Sequence, residues 1–219
     1  MISYDDVMKN DAVRAYIGKA DESLNEIGYT EHSYAHVAVV ALHADMLLST
    51  LGFSARTVEL ARIAALLHDI GNLINRAEHA QSSAVMAFSL LHDMGMPASE
   101  IAEIVTAIGN HDEGTGMPVS NIAAALILAD KSDVRRTRVR NNDFAKFDQH
   151  DRVNYSVSDA TLQINEEHTC VDLILTIDET VCTPMDYFEI FMERMLMCRS
   201  AARKLGLRFG MVMNGTRMM

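Results

Sequence analysis

The sequence predicts a mainly α-helical protein with a small α+β unit at its carboxyl end, and three observations carry that expectation. Apolar residues recur at intervals of three and four through roughly the first 140 positions, between short Gly, Asn and Pro breaks. The period then shortens to two in Val171, Leu173, Leu175 and Ile177. A last helical pattern leads into a second alternating run, Phe209, Met211 and Met213. A chain of 219 residues is long for one average domain. The reading is therefore a helical domain over 1–145 and a small unit over 146–219, joined somewhere in 141–158, with the pattern changing near Phe144.

Taken in order, a helix over about 31–51 ends at the Leu51-Gly52 stop. The next begins at a capping Ser54 or Thr57 and runs out at His68-Asp69-Ile70-Gly71, where Gly71 is expected to supply a left-handed exit. A third starts near Glu78 and stops at Gly95-Met96-Pro97. A fourth, capped by Ser99, carries Ile101, Ile104, Val105 and Ile108 on one face, and a fifth covers about 120–132. Farther on, Leu162 and Ile164 face the alternating run across the polar turn Asn165-Glu166-Glu167-His168, which predicts a hairpin. Thr183-Pro184 provides a cap and first-turn proline for a helix through Phe188, Phe191, Met195, Cys198, Ala202 and Leu205. The resulting β-β-α-β unit is too small to bury both faces of its sheet. It is expected to pack on the helical domain or on a second copy in a homodimer.

Composition removes several function classes. The hydrophobic fraction of 49% and charged fraction of 22% are ordinary for a globular protein, so neither a disordered chain nor a fibre is expected. Nineteen basic against thirty acidic residues leave a net charge of −11, a poor partner for a nucleic-acid duplex. No run is long and apolar enough to span a membrane, and the first residues lack a basic start followed by an apolar stretch, so a cytoplasmic protein is expected. Cys170, Cys182 and Cys198 are an odd set with no CxxC pair, read as reduced and packed.

Chemistry enters at His68-Asp69, an imidazole and an acid closing the apolar run of residues 61–67. A buried carboxylate is expensive unless paired or metal-bound, and a neutral imidazole is a common metal ligand. Ala61, Ala64 and Ala65 share the face of His68 and leave room for other helices to approach. Such a pair can equally cap a helix, and Leu91-His92-Asp93-Met94-Gly95 repeats almost the same local form. What separates the two is company: His36 sits within one apolar helix and Asp130 ends another, both polar where the period expects burial.

An upstream His36, the His68-Asp69 doublet and the distant Asp130 together resemble the HD superfamily of metal-dependent phosphohydrolases, over about residues 30–135. The resemblance implies an HD-type helical bundle in which these four bind metal. The closer likeness is to the two-metal branch that includes the HD-GYP phosphodiesterases, which implies two further ligands at His79 and His111. The segment His68-Asp69-Ile70-Gly71-Asn72 is similar to that branch's HDxGK motif, with Asn72 in place of Lys. The loop from Asn110 to Pro118 is similar to its HHExxDGxGYP motif but shorter, with Asn110 for a His and Met117 for the Tyr. Those departures remove the markers of a cyclic-dinucleotide substrate.

What the resemblance implies is an enzyme. Four imidazoles and two carboxylates would hold two divalent transition ions, iron or manganese fitting best and zinc also fitting, with Asp69 as the bridge. Asp69 and His68 would carry catalysis, in which a hydroxide bridging the ions attacks a small phosphate ester, a nucleotide or a cyclic nucleotide. Lys131, Arg135 and, from the overhanging loop, Arg76 are the candidates for holding the substrate phosphate. The ten residues from 131 to 140 carry a charge of +4, a run that would equally serve as a solvated face paired with acids. Asp112 and Glu113 are expected to orient imidazoles. His32, four residues before His36, is either a surface histidine or a further ligand. A di-iron oxygenase and a non-catalytic nucleotide- or metal-sensing module are the alternatives.

Overall fold

The computed structural model describes residues 1–141 and 147–219. The pattern change at Phe144 and the boundary between 145 and 146 lie outside these described residues. The first part is helical: α1 (Tyr4–Lys9), α2 (Asp11–Glu26), α3 (Tyr34–Thr50), α4 (Ala55–Leu67), a 3-10 turn (Ile70–Leu73), α5 (His79–Asp93), α6 (Ala98–Gly109) and α7 (Asn121–Ser132). Local chemistry sets most starts. Ser33, Ser54 and Ser120 each accept a hydrogen bond from a backbone N–H in the first turn, satisfying a donor that has no partner within the helix. Two starts differ from the sequence expectation. Ser33 takes the cap of α3, so residues 31–33 form a turn rather than helix. Pro97, not Ser99, is the N-cap of α6, and Ser99 falls within its first turn.

The residues of α7 from Ile122 to Ala129 are all buried, so this helix has no solvent face and must be enclosed on every side. Helices α3, α4 and α6 cover part of it. The rest is covered from the carboxyl-terminal part, which comprises α8 (Gln149–Ser156), β1 (Val157–Ile164), β2 (Cys170–Ile177), α9 (Pro184–Lys204), β3 (Arg208–Met213) and β4 (Thr216–Arg217). The sheet order is β1-β2-β3-β4. The hairpin β1–β2 is antiparallel with Leu162 opposite Leu173, whereas β2 and β3 run parallel with Val171 opposite Phe209. A parallel pair needs a crossover, and α9 is that connection. Through α9 and β1 the small unit packs on α7, and the buried apolar residues of both parts form one cluster. The sequence reading did not include α8 or the short edge strand β4. The three cysteines are free and buried.

Gly71 does not take the left-handed conformation expected of it. It lies in the 3-10 turn, where a Cβ would collide with the His79 carbonyl oxygen and the Ser83 nitrogen. Its own N–H donates to Ser83 Oγ at 2.7 Å. Glycine is required because the turn after Asp69 docks directly on the first turn of α5. No helix among the described residues is long and apolar enough to cross a membrane.

Candidate metal centre

Five separate elements deliver the site. His36 comes from α3, His68 and Asp69 follow the end of α4, His79 opens α5, His111 follows α6, and Asp130 lies in the last turn of α7. The side chains meet through their ring Nε2 atoms and carboxylate oxygens. On one side, His68 Nε2 is 3.2 Å and His36 Nε2 3.7 Å from Asp69 Oδ2, and His36 Nε2 is 3.4 Å and His68 Nε2 3.7 Å from Asp130 Oδ1. On the other, His79 Nε2 is 3.3 Å and His111 Nε2 3.8 Å from Asp69 Oδ1. The two oxygens of Asp69 thus face two different groups of imidazoles. Donors about 2.0–2.2 Å from a shared ion lie roughly 2.8–3.6 Å from one another in octahedral or tetrahedral arrangements. The observed separations sit within or just beyond that range, so this donor set fits divalent first-row ions without rearrangement of the helices.

The opposite edge of each ring explains why Nε2 points inward. Nδ1 lies 2.7 Å from Asp133 Oδ2 in His36, 2.7 Å from the Ala65 carbonyl in His68, 3.2 Å from the Arg76 carbonyl in His79 and 2.6 Å from the Ile108 carbonyl in His111. Each partner is an acceptor, so each Nδ1–H donates away from the centre and each Nε2 is the ring atom turned toward it, free to bind an ion once no proton is held there. His32 follows the same rule, with Nδ1 2.6 Å from the Thr30 carbonyl and Nε2 4.0 Å from Asp69 Oδ2. It reaches the site from the turn before α3, not from the helical face shared with His36.

The orienting groups are not the ones the sequence suggested. Asp112 stands on the inner side, its Oδ1 3.8 Å from His79 Nε2. Glu113 pairs with no imidazole among the described residues; it lies 3.3 Å from Lys131 Nζ and 2.6 Å from Arg194 Nε. Backbone carbonyls and Asp133 do the orienting instead. Asn72, where the related motif has Lys, donates to Asp69 Oδ1 at 3.1 Å and accepts from Arg76 Nη1 at 3.3 Å.

Burial raises the carboxyls of Asp69 and Asp130, yet His68 and the other rings around Asp69, and the Lys131 ammonium beside Asp130, hold both well below the usual range. Burial likewise opposes charge on His68, but Asp69 and Asp130 outweigh it and raise its pKa to about 10. In His111 burial prevails over Asp69 and the pKa falls. In His32 burial, reinforced by Arg138, drives it well below the ordinary value. The centre therefore has enough negative charge to hold a proton among its ligands, and a divalent cation satisfies the same charge when it replaces that proton.

The centre opens into a cleft of about 330 Å³, at the small end of ligand pockets, which run to about 1,000 Å³. Residues 27–30, Arg76, Asp148, His150, Asp151, Asn154 and Arg194 line it beside the ligand residues. The three cations proposed for the substrate fare differently. Lys131 lines the cleft, buried, with Nζ 2.7 Å from Asp130 Oδ2. Arg76 lines it with its guanidinium 5.5 Å above the Tyr29 ring. Arg135 does not line it: Nε binds Asp133 Oδ1 at 2.7 Å and Nη2 lies 3.3 Å from Glu31. The remaining basic residues of that run are also used internally. Arg136 donates to the Tyr155 carbonyl, Arg138 to the Glu31 and Asp133 carbonyls, and Arg140 pairs with Asp21. This run straps the turn at residues 31–33 to α2 and α8.

Residues 31–135 match the model of the HD domain family. The uncharacterized protein MJ1020 of Methanocaldococcus jannaschii is 25% identical over 159 residues, covering 63% of this chain and 61% of that protein, less than two thirds of its length. A crystal structure described as a predicted HD superfamily hydrolase from an uncultured Thermotogales bacterium aligns at 28% identity with a TM-score of 0.45, covering 57% of this chain and 67% of that one. The matched segment contains His36, His68, Asp69, His79, His111 and Asp130. It leaves out α8 and α9, which contribute His150, Asp151, Asn154 and Arg194 to the cleft lining.

Proposed function

We propose, from the match of residues 31–135 to the HD domain family, that the chain is a metal-dependent phosphohydrolase that cleaves a small phosphate ester at a pair of divalent transition ions, iron or manganese. The observation that carries the reading is the convergence of four imidazoles through Nε2 on Asp69, with every Nδ1 committed to an acceptor behind it. His36, His68 and Asp130 would hold one ion, His79 and His111 the other, and Asp69 both. When bound, the ions supply Lewis acidity toward a phosphate oxygen and toward the attacking water.

The chain's own residues do the rest. Arg76 has no carboxylate partner among the described residues and extends over the cleft from the loop that follows Asp69, so it holds the substrate phosphate. Through Asn72 it stands beside the carboxylate it must serve, and supplies the positive charge that the related motif places on Lys. Lys131, fixed between Asp130 and Glu113, offers a second cation, an ammonium, to the same space. Burial and those two carboxylates act on it in opposite senses, and the carboxylates prevail, so it stays protonated.

Metal analysis of protein purified without chelator, together with phosphate release from a panel of esters, tests the reading on the wild type and on Asp69→Ala. The variant is expected to lose bound metal and turnover together; turnover that survives metal loss would refute it. Oxygen consumption with a mixed-valent iron signal and no phosphate release would point to an oxygenase instead. Nucleotide binding without turnover would point to a sensor.

A further inference from the structure

We infer that Arg194, on α9 and outside the segment matched to the HD family, is a further substrate-binding residue whose terminal guanidinium nitrogens hold an oxygen of the substrate phosphate. The small carboxyl-terminal unit thereby completes the site and does more than enclose α7. The inference rests on the phosphohydrolase reading for the identity of the substrate, but its evidence is the placement of this one side chain. Arg194 lines the cleft together with Asp130 and Lys131, and its side chain is 27% exposed. Its Nε lies 2.6 Å from Glu113 Oε1, yet that buried oxygen has no hydrogen-bond partner among the described residues. The two groups therefore meet as charges, out of line for a hydrogen bond. No hydrogen bond from any side-chain nitrogen of Arg194 is found among the described residues. The guanidinium carbon stands 4.3 Å from the centre of the Phe191 ring, a contact that occupies a face of the group. Its N–H bonds point outward in the plane, so stacking fixes the guanidinium and leaves its edge open for an anion.

The other basic side chains of the cleft show what Arg194 adds. Lys131 and Arg138 are buried, the first against Asp130 and Glu113, the second donating to the Glu31 and Asp133 carbonyls. Arg76 and Arg194 are half-buried, one from each part of the chain. Glu113 is the carboxylate that pairs with Arg194, and it is shared: its Oε2 lies 3.3 Å from Lys131 Nζ, which lies 2.7 Å from the proposed ligand Asp130. Asp148 and Asp151 also line the cleft, but neither forms an ion pair with Arg194 among the described residues. One carboxylate shared between two cations leaves positive charge over, and a phosphate with its bidentate oxygens is the complement of a free guanidinium edge. The alternating row Arg194, Glu113, Lys131, Asp130 also ties that edge to the centre through short contacts.

Calorimetry with inorganic phosphate on the Mn²⁺-loaded full chain tests this, with Mn²⁺ titration of the metal-free protein and thermal unfolding measured on the same variants. Arg194→Gln is expected to weaken phosphate about ten- to a hundredfold, the loss of a hydrogen-bonded charge pair, while Mn²⁺ affinity stays within about twofold of wild type. Arg194→Lys keeps the charge toward Glu113 but lacks the planar fork, so it should bind phosphate more weakly than wild type and more tightly than the Gln variant. Should Arg194→Gln fail to fold, the Lys variant still decides. Phosphate affinity equal to wild type in the folded variants overturns the inference. So does Mn²⁺ affinity that falls in step with phosphate, because Arg194 would then prop Asp130 through Glu113 and Lys131. Weakened phosphate in a protein that releases phosphate from no ester would sink the hydrolase reading and leave Arg194 as an anion-binding residue. Ester turnover with unaltered phosphate affinity would do the reverse.

Discussion

Asp133→Asn separates the two halves of the centre. The Asp133 carboxylate is 2% exposed, accepts from His36 Nδ1 at 2.7 Å, and also receives Arg135 Nε at 2.7 Å. Asparagine keeps an acceptor oxygen of the same reach and removes the charge. A hydrogen bond to an ionised group contributes roughly 1.5–3 kcal/mol against roughly 0.5–1.5 kcal/mol for a neutral pair, so the orientation and basicity of His36 weaken by about 1–1.5 kcal/mol. That is about a tenfold loss of affinity for an ion held by His36, at the lower edge of the ten- to hundredfold cost typical for groups behind a metal ligand. His79 and His111 are oriented by the Arg76 and Ile108 carbonyls, which the substitution does not touch. Calorimetric titration of the metal-free protein with Mn²⁺ should therefore show one equivalent weakened about tenfold and the other within about twofold of wild type. Unfolding in denaturant, measured alongside, reports the separate cost of leaving Arg135 and Arg138 without a full charge partner. Two unaffected equivalents would refute the assigned role of Asp133, and equal weakening of both would show that it supports the fold rather than one ion.

Gly71→Ala should cost about 1–3 kcal/mol from overpacking against the His79 carbonyl and Ser83, lowering the melting temperature by roughly 2–4 °C per kcal/mol; an unshifted transition would contradict the close approach. Arg76→Ala is expected to raise KM for a phosphoester about tenfold or more with metal content retained. Arg135→Ala, which removes partly exposed ion pairs worth about 0–1 kcal/mol, should leave that KM near the wild-type value, and the reverse pattern would exchange their roles. Glu113 has its pKa brought down to about 2 because Lys131 and Arg194 outweigh burial, so its contribution to stability is present above its ordinary value of 4.5 and is lost as pH falls toward 2. Glu113→Gln should flatten the pH dependence of unfolding free energy in that window, and an unaltered slope would count against the pairing.

The two HD pairs show how far local sequence reaches. Leu67-His68-Asp69-Ile70-Gly71 and Leu91-His92-Asp93-Met94-Gly95 are nearly alike as strings. In the structure His68 is fully buried among carboxylates, whereas His92 is exposed and stacks on Phe88. His36 and Asp130 were legible because each breaks an apolar helical period, and a polar residue at a buried position demands a reason. His79 and His111 break no such period, and only the order of the motif brought them into view. His32 escaped a firm assignment because its position depends on α3 starting at Tyr34, a boundary that the Ser33 cap decides.

By itself the sequence determined the helical class, the hairpin, the crossover helix and the residue types that must avoid water or find a partner in its absence, because periodicity and burial cost are properties of a local string. Tertiary structure alone decided which partner each one finds. Asp133 reaches back 97 positions to His36, and three imidazoles lean on the carbonyls of Ala65, Arg76 and Ile108, acceptors that every residue type possesses and no sequence can single out. Arg135 and Arg138, three apart in one basic run, end in different surroundings: both pair with Asp133, but only Arg138 also lines the cleft. Coulombic and hydrogen-bond energies depend on distances of a few ångströms between segments far apart along the chain, and those distances exist only once α7 has been enclosed.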